Sequence, residues 1–114
     1  MQIKEMALKA IAYGQEKKAL RPVLMDLQKL TAMTDYFVIL SAANARQVES
    51  IADGIVKSLK ENDNIVVDTA ERDKESKWIL LDYGDFIVHV FHEDAREYYD
   101  LERLWSDAEI TEVL

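Results

Sequence analysis

His89 and His92, followed directly by Glu93 and Asp94, are the side chains whose types invite a metal. Their spacing argues against one. On a strand, positions three apart point to opposite faces, whereas a catalytic zinc needs three convergent ligands. Each imidazole is therefore read as a packed or capping group. Asp82 and Asp85 form the second pair, flanking Tyr83-Gly84. Facing one another across a turn, they could hold a cation or raise one carboxyl pKa. No third oxygen-rich segment accompanies them, and acidic residues are ordinary at turns, so no metal or cofactor is assigned. The absence of cysteine removes a thiolate nucleophile, a disulfide framework and a cysteine-ligated zinc. The 3 glycines form no phosphate-cradling loop, and no Ser-His-Asp arrangement is recognisable. What remains distinctive is a capacity for recognition: an indole and aliphatic groups beside carboxylates.

The element that must present these groups is Trp78 to His92, two apolar runs joined at Tyr83-Gly84, which reads as a hairpin turn with glycine supplying positive φ. A two-residue loop at Tyr83-Gly84 sets Asp82 opposite Asp85, Leu81 opposite Phe86, Leu80 opposite Ile87, Ile79 opposite Val88 and Trp78 opposite His89. One side then carries Ile79, Leu81, Phe86, Val88 and Val90, all apolar and expected in the core. The other carries Trp78, Leu80, Asp82, Asp85, Ile87 and His89, where function would sit. The competing reading is that a helix of the same domain covers this side.

Around the hairpin the chain reads in order as follows. Ile3, Met6, Ala7, Ala10 and Ile11 recur at helical spacing, predicting a helix to about Glu16. Pro22 opens a strand over Val23–Leu27, and Tyr36–Leu40 is apolar without alternation, as expected of a central strand covered on both faces. Asn44 caps a helix whose Val48, Ile51, Ala52, Ile55, Val56 and Leu59 form one stripe, ended by Asn62-Asp63-Asn64. Ile65–Val67 reads as a short strand and Thr69–Lys77 as a surface loop. After Phe91, Asp94 and Glu97 read as a capping box opening a helix with Ala95, Tyr98, Leu101, Leu104 and Trp105 on one face. Trp105 is expected in the core, and residues 107–114 form an acidic, frayed tail beyond a domain spanning 1–106. The order α-β-β-α-β-β-β-α describes a single-domain α/β sandwich with a mixed sheet.

At 114 residues and 49% hydrophobic, the chain suffices for one core. No stretch is long and apolar enough to span a bilayer and no basic-then-apolar leader opens the chain, so a soluble, cytoplasmic protein is expected. The net charge of −8 is unevenly spread: residues 1–67 hold 9 Lys and Arg against 8 Asp and Glu, whereas residues 68–114 hold 5 against 14. Such a field disfavours direct contact with phosphate backbones and attracts a basic partner. No direct nucleic-acid binding and no membrane contact are expected. Weak self-association through the Trp78 side or an exposed strand edge is expected when no partner is present.

The segment WILLDYGDFIVHVFH at residues 78–92, AREYYDLERLW at 95–105, DYFVILS at 35–41 and RQVESIAD at 46–53 together resemble the ribosomal silencing factor family, RsfS or Iojap, over nearly the whole chain. Ser41–Asn44 and Ala70–Arg72 depart from that pattern where relatives commonly carry glycine. The resemblance implies a nucleotidyltransferase-like fold and a factor that binds ribosomal protein fourteen of the large subunit, on the face that meets the small subunit. It implies a steric block of subunit joining when nutrients are short, with no catalysis. On this reading Trp78, Leu80, Asp82 and Tyr83 contact the partner, with Lys77 and Asp85 at the rim. The alternative suggested by fold likeness is a metal-dependent nucleotidyltransferase-like enzyme. It lacks support here, because Ser41-Ala42 has no glycine and Asp82 and Asp85 are spaced Asp-x-x-Asp around a turn instead of Asp-x-Asp on a strand.

Overall fold

The computed structural model describes residues 1–114. Helix α1 (Ile3–Glu16) buries Ala7, Ala10, Ile11 and Gly14, the stripe its periodicity marks. Strand β1 (Leu20–Asp26) contains Pro22 inside an irregularity, where the register with β2 (Tyr36–Ala42) jumps between Leu20 and Val23. Proline costs no ladder bond there, and its carbonyl accepts from Val113 N at 2.9 Å. Helix α2 (Ala45–Asp63) opens on Asn44, whose side chain accepts from Gln47 N, and closes on Asn64 in the left-handed region at φ 57°. Then follow β3 (Thr69–Arg72), β4 (Trp78–Asp82), β5 (Phe86–His92), α3 (Glu93–Tyr99), α4 (Leu101–Leu104) and β6 (Glu109–Glu112).

The strands form one mixed sheet in the order β3-β4-β5-β2-β1-β6, with β2 and β5 parallel and every other pair antiparallel. The fold class is α/β, as expected. Helices α1 and α2 cover one face over Val38, Leu40, Ile79, Leu81, Phe86, Val88 and Val90. The opposite face has a smaller core of Val23, Met25, Leu27, Ile39, Phe91, Ala95 and Leu101, with Phe37, Trp78 and Trp105 partly buried against it.

Several local expectations are corrected. Ile65–Val67 is not a strand, because Ile65 N is used to close α2 on Leu59 O at 2.9 Å. The strand lies later, at Thr69–Arg72, where every side chain is exposed and no apolar pattern announces it. Residues 109–112 are likewise not frayed: they pair with β1 as an all-exposed edge strand, with Ala108 buried beside it. The last helix is capped by His92, whose Nδ1 accepts from Asp94 N, and not by Asp94. It stops at Tyr99 because Asp100 turns left-handed at φ 45°, which takes Leu104 out of the apolar stripe, and Tyr98, within α3, is exposed as well. The added short α4 and β6 extend the expected order to α-β-β-α-β-β-β-α-α-β.

The hairpin register is also two residues from the expected one. Tyr83 N donates to Phe86 O at 3.0 Å, so the loop is Gly84-Asp85, with Trp78 opposite Phe91, Leu80 opposite His89 and Asp82 opposite Ile87. An even shift leaves each side chain on its expected face, which is why the division into two sides holds. Asp82 Oδ1 accepting from Gly84 N at 2.8 Å and Asp35 N donating to Asp85 O at 2.9 Å fix this turn. Gly84 adopts φ 83°, with Asp68 Oδ2 3.4 Å from where a Cβ would lie. Gly84→Ala is expected to cost about 1 to 2 kcal/mol, read as a melting point lower by several degrees.

Candidate functional site

Along β4 alternation sends Ile79 and Leu81 into the helix-covered core and Trp78, Leu80 and Asp82 to the opposite face. There α3 and α4 cover only part of the sheet. His89 and Phe91 are buried, whereas Trp78, Leu80, Ile87 and Phe37 remain half-buried. Trp78 and Leu80 line a groove between the β3–β4 turn and α3, with Lys77 and Glu71 on one side and Asp94, Tyr98 and Tyr99 on the other.

The indole is fixed from behind. Its Nε1–H donates to His89 Nδ1 at 3.1 Å, and its ring packs on Phe91 and Tyr99 with centroids 4.9 and 4.6 Å away. Because His89 accepts at Nδ1, it is neutral with its proton on Nε2, which is buried without a hydrogen-bond partner. Burial among rings pushes its pKa down to about 3. Neither histidine shares a metal site: His89 is buried against Trp78 and His92 caps α3, and no three His, Asp or Glu side chains converge.

The six residues expected at the partner surface are not brought together equally. Trp78, Leu80 and Lys77 line the groove. Asp82 lies on the same face, but one of its oxygens is engaged by Gly84 N. Asp85 is exposed at the turn tip, and Lys77 Nζ pairs with Glu75 at 2.8 Å. Tyr83 faces the other way, stacked on Phe86 at 4.8 Å and 8° beside the helix-covered core. Its hydroxyl is buried without a partner, and burial pushes its pKa up to about 12. Residues not anticipated at this surface are Tyr98, Tyr99, Glu71 and Asp94. The tandem Tyr98-Tyr99 carries a faint signal, since adjacent residues on a helix cannot both face one core.

A single α/β domain with a mixed sheet, presenting a half-open aromatic face, is therefore the kind of protein this is. The profile described as "Ribosomal silencing factor during starvation" matches residues 1–113, and the chain belongs to that family. It is 38% identical over 104 residues to the ribosomal silencing factor RsfS of Bacillus subtilis, covering 91% of this chain and 87% of that one. It is 34% identical over 113 residues to the protein of the same name from Halalkalibacterium halodurans, covering 99% and 96%. A crystal structure of a Chromobacterium violaceum protein superposes with a TM-score of 0.88 at 31% identity, covering 93% of this chain and 88% of that one.

Proposed function

We propose that this chain is a ribosome silencing factor: it binds ribosomal protein fourteen of the large subunit on the face that meets the small subunit, and sterically blocks their joining under nutrient limitation. It works in the cytoplasm by occupancy and catalyses nothing. The observation that carries this reading is the half-open Trp78–Leu80 face, in the acidic half of a chain that belongs to the silencing factor family. A half-buried indole and leucine offer apolar anchors, and the surrounding carboxylates suit a basic ribosomal protein. Left without that partner, the same face or the β3 edge supports weak self-association, seen as concentration-dependent sedimentation.

Co-sedimentation with separated ribosomal subunits tests the reading. Wild type is expected with the large subunit alone, and Trp78→Ala should weaken capture by roughly thirtyfold or more, the equivalent of about 2 kcal/mol. Asp82→Arg should also abolish capture, by reversing a charge toward a basic partner. It additionally removes the acceptor for Gly84 N, a loss of about 1 kcal/mol, so thermal melts must show both variants folded. Capture of Asp82→Arg at wild-type strength would refute the assigned surface. Magnesium-dependent nucleotide incorporation, lost on Asp82→Asn or Asp85→Asn, would instead make the protein an enzyme.

A further inference from the structure

The groove beside Trp78 has a lining that selects its occupant. Trp78 is immobilised by His89, Phe91 and Tyr99, so its remaining ring surface is presented in a fixed orientation. Tyr98 stands edge-on to Tyr99 at 5.1 Å and 90° and is 83% exposed. A fixed indole with a second, exposed aromatic ring beside it at an open surface is what a planar cation stacks upon.

The charges on the walls agree. Glu71, from β3, makes no side-chain hydrogen bond or ion pair. Asp94 Oδ2 lies 3.9 Å from His92 Nδ1, but that nitrogen accepts the Asp94 backbone N–H and has no proton to offer. None of the groove's own cations pairs directly with these two carboxylates: Arg72 turns to Glu49 and Asp53 of α2 at 3.7 and 3.8 Å, and Lys77 pairs with Glu75 at 2.8 Å and acts on Asp94 only through space. Lys74 alone stays uncommitted.

We propose that this groove receives an arginine side chain of a basic protein partner, its guanidinium stacked between Trp78 and Tyr98 and its N–H fork donating to Glu71 and Asp94. The proposal rests on the reading above that the chain docks on a basic ribosomal protein. Arginine fits better than lysine because a flat guanidinium both stacks on rings and forks onto carboxylates, whereas an ammonium is a strongly hydrated point charge. A nucleic acid strand fits worse, since its phosphates would meet Glu71 and Asp94 in the acidic half of the chain.

The full-length protein, labelled with nitrogen-15, tests this through the Trp78 indole N–H signal, assigned against Trp105→Phe. The probes are acetyl-Gly-Arg-Gly-amide and its citrulline and lysine counterparts. The arginine peptide should shift the Trp78 signal saturably, binding at least about tenfold tighter than the neutral citrulline peptide. Tyr98→Ala and Glu71→Gln, both at exposed positions, should each weaken it about three- to tenfold with unchanged melting. Equal responses to arginine and citrulline, an unaltered response in Tyr98→Ala, or tighter binding of a short oligouridylate would overturn the proposal, and an equal response to lysine would overturn the choice of arginine. Failure of wild type to sediment with large subunits, while the arginine response stands, would sink the ribosomal reading alone. Wild-type capture matched by both variants would sink the groove alone.

Discussion

Arg96→Ala is expected to destabilise the domain by about 3 to 5 kcal/mol, although the side chain lies outside both apolar cores. Arg96 is 3% exposed. Its Nε and Nη2 donate to the two oxygens of Glu102 at 3.1 and 3.2 Å, and Nη1 donates to Arg21 O at 2.6 Å and Ser41 Oγ at 3.1 Å. One guanidinium thereby ties α3, α4, the β1 irregularity and the end of β2 together. The Arg21 carbonyl it holds belongs to a residue at φ 47°, a left-handed conformation that a non-glycine side chain adopts at a cost. Truncation would leave the Glu102 carboxylate, the part-buried Arg21 carbonyl and the Ser41 hydroxyl without their donor. Arg96→Lys should recover only part of the loss, since a single ammonium cannot satisfy a forked carboxylate and a carbonyl together. The exposed Arg21–Glu97 pair at 2.9 Å is the internal control: Glu97→Ala should change stability by less than about 1 kcal/mol. Urea unfolding of the variants separates the cases, and a loss for Arg96→Ala no greater than for Glu97→Ala would refute the role given to this network. Because α3 carries Tyr98 and Tyr99 to the groove, partner binding should fall with it.

The contrast between elements that sequence made legible and those it did not follows burial. Helices α1 and α2 and strand β2 were readable because each buries a face or two, and burial imposes a period on residue type. Strands β3 and β6 bury no side chain, so their pairing is set by backbone hydrogen bonds that leave no apolar pattern. The end of α3 was missed for a related reason. Tyr98 and Leu104 continue a helical stripe on paper, but the left-handed Asp100 breaks the helix between them, and aspartate is one of few non-glycine residues that tolerate this.

At the candidate site, the side of β4 that carries Trp78, Leu80 and Asp82 was legible, because alternation survives any even error in register. The position of the turn was not. Whether glycine takes the first or second loop position depends on Asp82 bonding to Gly84 N and Asp35 to Asp85 O, contacts that need the folded chain. Tyr83, expected as a loop residue, instead follows Leu81 in alternation and stacks on Phe86. The wall formed by Tyr98, Tyr99 and Asp94 arises only when α3 folds back over β5, a long-range placement that Arg96 enforces and that local periodicity does not encode.

Acid should destabilise this fold well before its carboxylates protonate, and His89 is the cause. In the folded chain it accepts from Trp78 Nε1, packs edge-on to Phe37 at 4.5 Å and lies against Phe91, with no charged group to stabilise an imidazolium. Its pKa falls from 6.5 to about 3 through burial. Between those values the unfolded chain binds the proton and the folded one does not, so stability rises with pH across the window. The contribution is complete above pH 6.5 and is lost as pH falls toward 3, at up to about 1.4 kcal/mol per unit, or about 2 kcal/mol by pH 5. Asp63, held below the usual carboxylate range by Tyr13 Oη–H at 2.7 Å and by Lys9 at 3.0 Å, adds its own loss only below the ordinary aspartate value of 3.8. His89→Gln keeps an acceptor for the indole but does not titrate. It should be less stable than wild type at pH 7.5 and nearly flat from pH 6.5 to 5, with His92 common to both proteins. Urea midpoints at half-unit intervals over that range measure the difference in slope, and parallel curves would refute the assignment to His89. Protonation also turns Nδ1 from acceptor to donor, so the Trp78 hydrogen bond breaks in the same step. The indole fluorescence of Trp78, read in a Trp105→Phe background, should therefore change with the same midpoint as unfolding and not ahead of it.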